Sequence, residues 1–527
     1  MKTAIHRWPA IGLLLALLFV TVVRIGLLSA PMERDEGEYA YAGQLMLAGV
    51  PPYQGIYNMK MPGTYAVYAA SMALFGQSVS GVRVGLLLAN LGAILLVYAI
   101  GRRFMTPTGA AAAGATYALM STSPGVLGTY MHATHFVILP ALAATLLLLR
   151  AIEKQSLWGI FTSGCLYGLA FLMKQPGGLF ALLGFALLFR AAVRQTWKQN
   201  AARLALFGLG IATPIALTCF LLWEAGVWSR FWWWTVTYAG MHATVAPWSQ
   251  GKVVLANRIM GMGIDLEFWA SAELGLVLLF LDRGQPDKRF FLITLLLVSS
   301  AAVCPTLHFS SHYFVMLLPA IALLSTEAFD LAARWLETNC PEFCGLPWMI
   351  FGLMSMLLVW SHSSVFFSLS PAQVTAAVYP NNEFQAYPEV GEYLKTRTPP
   401  NSTMAILGSE PELLFYAHRC SVTGYVYMYD IVQDQPYRKL MERGLIHEVE
   451  QGKPDYVVLV NQRLSWLADT RAELGPLTSW IIQFTDGYEP FGAVSSGRTQ
   501  QCVWGPNSFK EAPNRLLSIY RRKKTPQ

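Results

Sequence analysis

The chain has 527 residues, of which 54% are hydrophobic and only 13% charged, about half the charged share of an ordinary soluble domain. That composition excludes a single water-soluble globule. The formal charge of +7 is dispersed over loops between apolar runs, so topology accounts for it and a nucleic-acid surface is excluded as its cause.

Runs of about 17 to 25 apolar residues, long enough to cross a hydrocarbon core about 30 Å thick, recur as far as Leu369. The first occupies 11–30, behind Lys2, His6 and Arg7. It is longer than the apolar part of a signal peptide, and Pro31 follows Ser29-Ala30 without a small-x-small cleavage site, so a retained first span is expected. Directly after it comes Glu33-Arg34-Asp35-Glu36-Gly37-Glu38-Tyr39, an expensive place for so many charges.

The spacing of Tyr39, Ala40, Gly43, Met46 and Leu47 predicts an amphipathic helix over 36–47 that stops at Gly49. Pro51-Pro52 and Gly55 force a turn, and the polar cluster Asn58-Met59-Lys60-Met61-Pro62-Gly63 follows. The apolar segment 64–75 is too short to span and is expected along the membrane surface. A second span at 79–100 is closed by Gly101-Arg102-Arg103. Further runs at 108–121, 132–149, 157–173, 179–193, 205–223, 263–281, 290–304, 309–324 and 346–367 bring the predicted total to about eleven.

With the first helix starting inside, the inner loops carry Arg102, Arg103, Lys154, Arg203, Lys288 and Arg334, as the positive-inside rule asks. An odd number of spans then puts the loop 31–78 and the region 370–527 on the outer face. Lys60, Arg83, Lys174 and Arg258 fall on that face against the rule, as do Arg34, Arg230 and Lys252. Such cations either serve an anion or are scattered exceptions. Trp232-Trp233-Trp234 reads as an interfacial aromatic belt rather than a sugar platform. Glu273, in mid-span, calls for a partner or a function.

The chain is therefore expected to be a mainly α polytopic membrane protein, with a membrane domain over 1–369 and a soluble extracytoplasmic α/β domain over 370–527. In the latter, helices are predicted at 390–395 and 410–418 and strands at 404–407 and 455–460. It has no phosphate-cradling glycine loop or nucleophile motif and reads as a lid or acceptor-binding module, and the basic run 521–524 reads as a solvated tail. Seven cysteines include no C-x-x-C pair, and Cys340 with Cys344 is a poor zinc signal. Cys420 and Cys502 would be free to pair in an oxidising compartment.

Asp35 and Glu36 sit where a carboxylate can meet a substrate at headgroup depth and take a proton from an attacking hydroxyl. Acids also cap helix N-termini, and the residues alone leave both readings open. Lys60 is either the counter-charge of a phosphate or a snorkelling interfacial lysine. Lys174, in Lys174-Gln175-Pro176-Gly177-Gly178, either faces lipid phosphate or tops a helix C-terminus. His132 and His135 have no partners at metal-ligand spacing.

Asp35-Glu36-Gly37-Glu38-Tyr39-Ala40, Met46-Leu47-Ala48-Gly49, Tyr57-Asn58-Met59-Lys60-Met61-Pro62, Leu74-Phe75-Gly76 and Arg83, in that order, resemble the first outer loop of the GT-C glycosyltransferases that use polyprenyl-phosphate sugars. The likeness is to the bacterial aminoarabinose and protein-mannosyltransferase-like enzymes, and its motifs cover only about a tenth of the chain. Ser311-His312-Tyr313-Phe314 is similar to a late outer segment of the same family, which implies contact with donor phosphate or sugar, with a buried and satisfied histidine and tyrosine as the alternative.

The resemblance implies that Asp35, with Glu36 beside it, activates the acceptor. It also implies that Lys60 helps hold the lipid phosphate, and Arg83, Lys174, Arg258, His312 and Tyr313 are further candidates for donor binding. Relatives often carry an acid just before this lysine, where this chain has Met59. No metal ligand is therefore assigned, and a divalent metal is left as a doubtful cofactor.

The function expected is inverting transfer of a hexose or pentose from a polyprenyl-phosphate donor to a lipid, glycan or protein acceptor, outside a bacterial inner membrane. The alternative is a transporter or lipid flippase. Such proteins keep ionisable residues at the midplane and often show two related halves, whereas here charge gathers in the outer loops and no internal repeat is seen.

Overall fold

The computed structural model describes residues 8–192, 196–243, 247–261, 265–282, 284–466, 475–497 and 500–523. Its membrane part is helical throughout: α1 (Trp8–Gly26), α2 (Arg34–Leu47), α3 (Pro62–Phe75), α4 (Val79–Gly101), α5 (Pro107–Met120), α6 (Ala133–Lys154), α7 (Leu157–Met173), α8 (Phe180–Ala192) and α9 (Trp197–Glu224), then α10 (Trp248–Gly261), α11 (Leu266–Leu281), α12 (Pro286–Val303), α13 (Leu318–Asn339) and α14 (Leu346–Ser361).

Among the described residues, six helices are long and apolar enough to cross a membrane, and α7 is a shorter apolar helix. The expected count of about eleven is thus met only in kind. The run at 108–121 forms the 14-residue helix α5, about 21 Å long at 1.5 Å per residue and short of a full crossing. The run at 309–324 is divided: Ser311–Met316 is a 3-10 turn, and α13 starts at Leu318 and continues to Asn339. Pro319 suits the first turn of a helix, where its missing N–H costs nothing.

Helix α2 lies where it was predicted, and Gly49 ends it with φ +85. It is not a surface amphipathic helix, however, since ten of its residues, including Arg34, Glu36 and Glu38, are buried. What covers it is the C-terminal domain. Tyr39, Tyr41 and Leu45 of α2 and Tyr65 and Tyr68 of α3 share one core with Val390, Ile406, Leu413 and Phe415. Gly37 permits the contact, because a Cβ there would stand 2.5 Å from Cβ of Glu412. Arg34 reaches across the same boundary to Glu410 at 2.8 Å, so the anion that this outer cation serves is internal.

The C-terminal domain is a six-stranded mixed sheet in the order β2-β1-β3-β6-β4-β5. The predicted strands are β1 (Thr403–Leu407) and β3 (Tyr456–Val460), paired in parallel, and the predicted helices are α15 (Tyr387–Arg397) and α16 (Glu412–Ala417). Strands β2 (Cys420–Ser421), β4 (Tyr488–Ser495), β5 (Cys502–Trp504) and β6 (Arg515–Arg522) were not expected. Cys420 and Cys502 are free and occupy opposite edges of the sheet, about 24 Å apart at about 4.8 Å per strand, which rules out the disulfide. The basic run is not simply a tail either, as Arg521 and Arg522 end β6 and pair with Glu489 and Asp455. Trp234 is 4% exposed and stacks on Tyr57 rather than joining an aromatic belt.

Candidate active site

The first turn of α2 decides which acid is free. Glu33 is the N-cap, and its side chain accepts the Glu36 N–H at 2.9 Å. Capping therefore does not occupy Asp35. Glu36 is fully buried: it accepts from Arg83 at 2.7 Å and from the Met131 N–H at 2.5 Å. Arg83 gives its remaining reach to the Leu27 and Pro31 carbonyls. These two predicted site residues form a buried strut between α2 and α4, paired with each other rather than with Asp35 or Lys60.

Asp35 points the other way and meets Lys60, Nζ to Oδ1 2.9 Å. The Lys60 ammonium also donates to the Tyr39 hydroxyl at 3.0 Å and lies 3.8 Å from Glu38 Oε2. Its loop is pinned by Tyr53, whose hydroxyl donates to the Lys60 carbonyl at 2.8 Å, and by Gln175, which donates to the Met59 carbonyl at 2.7 Å. Glu38 is held in turn by the Tyr65 hydroxyl at 2.8 Å and Asn58 Nδ2 at 2.9 Å. The Asp35 and Lys60 side chains keep 18% and 22% of their surface exposed, so a substrate can reach both.

Burial pushes the Asp35 carboxyl up, but the Lys60 ammonium, by its charge and its hydrogen bond, outweighs it and leaves the group below its ordinary value. Burial opposes the charge on Lys60, and Asp35, Tyr39 and Glu38 together hold its pKa well above the usual lysine range. Glu38, where burial outweighs Lys60, is pushed up to about 7. The pair at the rim is thus ionised, and the Glu38 carboxyl behind it gains and loses its proton near neutral pH.

Lys174, the C-cap of α7, packs its ammonium 4.1 Å from the Tyr313 ring centre. Burial and then the charge of Lys60 bring it down to about 7. His312 stacks on His132 with centroids 4.2 Å apart, and burial lowers His132 to about 3, so that imidazole is neutral. Asp35, His132 and His312 each place a ligand atom within 4.8 Å of the others. One carboxylate and two imidazoles are the donor set of a divalent transition metal, so the residues fit such an ion despite Met59. Arg258 stays on the rim, donating to Ser311 at 3.3 Å, one residue before His312.

Several members of the cluster were not anticipated. Glu38 and Tyr39 lie three and four residues beyond Asp35 on one helix face, a spacing that could have exposed them. Asp430 had no such signal. It enters from the C-terminal domain, accepts from Tyr238 at 2.8 Å, and is raised to about 6 by burial. Tyr427 enters beside it, its hydroxyl pushed well up by burial and by the charge of Asp35. Glu273 remains on the outside of α11, on the wall of an apolar cavity of about 550 Å³ shared with Trp269 and Phe314.

Residues 59–217 match the family described as dolichyl-phosphate-mannose-protein mannosyltransferase, a stretch that holds Lys60, His132 and Lys174. The chain is 25% identical over 409 residues to undecaprenyl phosphate-alpha-4-amino-4-deoxy-L-arabinose arabinosyl transferase 1 of Pseudomonas fluorescens, covering 72% of this chain and 66% of the relative. The corresponding transferase of Pseudomonas aeruginosa is 28% identical over 215 residues, 38% of each chain. The matched segments thus span from over a third to just under two thirds of these relatives.

Among solved structures, ArnT of Cupriavidus metallidurans bound to undecaprenyl phosphate superposes with a TM-score of 0.57 at 14% identity, covering 99% of both chains. The Archaeoglobus fulgidus oligosaccharyltransferase tethered to an acceptor peptide gives 0.51 at 11% identity, over 97% of this chain and 75% of that one. These likenesses establish a shared fold.

Proposed function

We propose that the chain is an integral-membrane glycosyltransferase that moves a sugar from a polyprenyl-phosphate donor to an acceptor, with Asp35, Lys60 and Lys174 at the centre of its site. The observation that carries this reading is the partly exposed Asp35–Lys60 pair with a second ammonium, Lys174, close enough for Lys60 to act on its charge, at one end of a bundle that shares its fold with a polyprenyl-phosphate-bound enzyme. The matched family description and the named relatives point to the same donor class.

In the proposed reaction the acceptor oxygen attacks the anomeric carbon as the bond from that carbon to the phosphate oxygen breaks, which inverts the centre. Asp35 takes the acceptor proton, and Lys60 and Lys174 meet the charge that grows on the departing lipid phosphate. As Lys60 turns toward that phosphate, its hold on Asp35 weakens and the carboxylate becomes the stronger base. Glu38, Tyr39 and Asn58 position Lys60 between its two tasks. A divalent ion held by Asp35, His132 and His312 would add Lewis-acid stabilisation of a phosphate oxygen. Tyr427 and Asp430 reach this cleft from the C-terminal domain, which supports an acceptor-side role for that domain on the outer face.

The test is transfer of radiolabelled sugar in detergent across several polyprenyl-phosphate donors. Labelled acceptor should form without a second compartment, and Asp35→Asn should still bind donor while failing to transfer. A wild-type protein that binds these donors and transfers from none, yet moves them across a sealed vesicle, would overturn the reading in favour of a transporter.

A further inference from the structure

At the end of the bundle away from Asp35, the last turns of α4, α6 and α8 and the start of α12 surround a cavity of about 1090 Å³. Four basic side chains line it, Arg102, Arg103, Arg190 and Lys288, against two acidic ones, Glu153 and Asp287. The rest of the wall is largely apolar, with Leu149, Ile152 and Leu187 toward the bundle and Phe104 stacked on Phe291 at 4.8 Å.

The internal ion pairs do not exhaust the positive charge. Arg103 pairs with Glu153, Arg190 with Asp287 at 3.0 Å, and Lys288 with Glu327 and, at 3.6 Å, Asp282. Arg102 is exposed and has no side-chain partner among the described residues. Arg150 stands close enough for its charge to act on Arg103, adding another cation near the rim. The membrane-crossing candidates Val79–Gly101, Ala133–Lys154 and Gln175–Ala192 all end beside this cavity, which sets it at headgroup depth. An excess of guanidinium groups above an apolar wall at that depth matches a lipid phosphate with its chain beneath, since basic pockets between spans take anionic head groups and arginine forks fit phosphate oxygens.

We propose that this cavity binds the phosphate head of an anionic phospholipid from the adjoining leaflet, with Arg102 as the free cation that selects for it and an acyl chain along Leu149, Ile152 and Leu187. The proposal rests on the membrane reading and not on the transfer chemistry, since none of the groups assigned to the Asp35 site lines the cavity.

The experiment is native mass spectrometry of the full-length protein in a neutral detergent. Phosphatidylglycerol and phosphatidylcholine of identical chains are titrated separately, with inorganic phosphate as a competitor. Phosphatidylglycerol should be retained in preference, Arg102→Gln should weaken its retention about fivefold, the worth of one cation near a membrane surface, and Arg102→Lys should keep most of it. Arg102 is exposed, so the melting temperature of both variants should match the parent. Equal retention of the two lipids, a preference unmoved by Arg102→Gln, or displacement of the lipid by millimolar inorganic phosphate would each overturn the proposal, the last in favour of a free anion.

Discussion

Lys288 is 1% exposed and lies between Glu327, itself 0% exposed, and Asp282, while Arg334 reaches Asp330 at 3.4 Å in the same network. At the opposite end of the bundle Lys60 keeps 22% of its side chain open and shares Asp35 and Glu38 at unequal distances, 2.9 and 3.8 Å. The Lys288–Glu327 pair is closed and acts as a clasp between α12 and α13. The Lys60–Asp35 pair leaves an ammonium and a carboxylate partly open, which a structural clasp would not require. Burying a charge is tolerable only with pairing, so a charged pair left partly open is the better sign of a site than charge itself.

This contrast predicts that substitutions in the partly open pair change chemistry and those in the closed pairs change stability. The largest effect belongs to Asp35→Asn, which should lower turnover by about 10² to 10⁴, the worth of a general base. Because Glu33 and not Asp35 caps α2, the variant should melt like the parent and retain donor, and turnover measured beside donor binding checks this.

Next comes Lys60→Ala, expected to reduce transfer by about 10² to 10³ through loss of a charge at the leaving phosphate. Lys60→Arg should lose much less. Near-parental activity in both variants would make Lys60 an interfacial lysine without a role in transfer, and equal loss in both would point to a geometric role.

A smaller effect is set by pH. Burial and Lys60 bring Lys174 down to about 7, so its ammonium is present below that pH and lost above it. In the free enzyme kcat/KM should therefore fall on the alkaline side of about pH 7, and Lys174→Arg should move that limb upward. A profile identical in parent and variant would remove Lys174 from donor binding.

At the foot of the scale, Glu36→Gln and Glu327→Leu each leave a buried cation short of its partner, Arg83 in one case and Lys288 in the other. Both should destabilise by roughly 3 to 5 kcal/mol, as broken buried pairs do, with turnover per folded molecule nearly unchanged. Denaturant titration beside activity separates the two quantities. A Glu36→Gln enzyme that is stable but inactive would restore Glu36 to the site.

The loop that carries Asp35 and Lys60 was legible because both lie in short motifs flanked by apolar runs, and the structure joins them across 25 positions. Glu36 and Arg83 were placed beside them on the same grounds, but the step of about 100° between successive helical residues turns Glu36 from Lys60 toward Arg83 and the Met131 N–H. His132 was set aside as a metal candidate for lack of partners at matching spacing. Its neighbour in space, His312, lies 180 positions away, and no local pattern carries that pairing.

The strands β4 and β6 escaped for a related reason. Their pairing partners are remote, and along each eight-residue strand the buried positions run together instead of alternating, which leaves little period-two signal.

What the sequence determined by itself was the medium and the place where charge gathers. Lipid imposes long apolar runs whatever the tertiary fold, and charges next to them are too costly to be incidental. Only the tertiary structure decided which acid caps, which pairs and which remains free. It also decided that the C-terminal sheet and its helices cover α2 and that Lys174, His132 and His312 gather beside Asp35. Those outcomes depend on distances between segments far apart in the chain, and such distances are fixed by packing rather than by local preference.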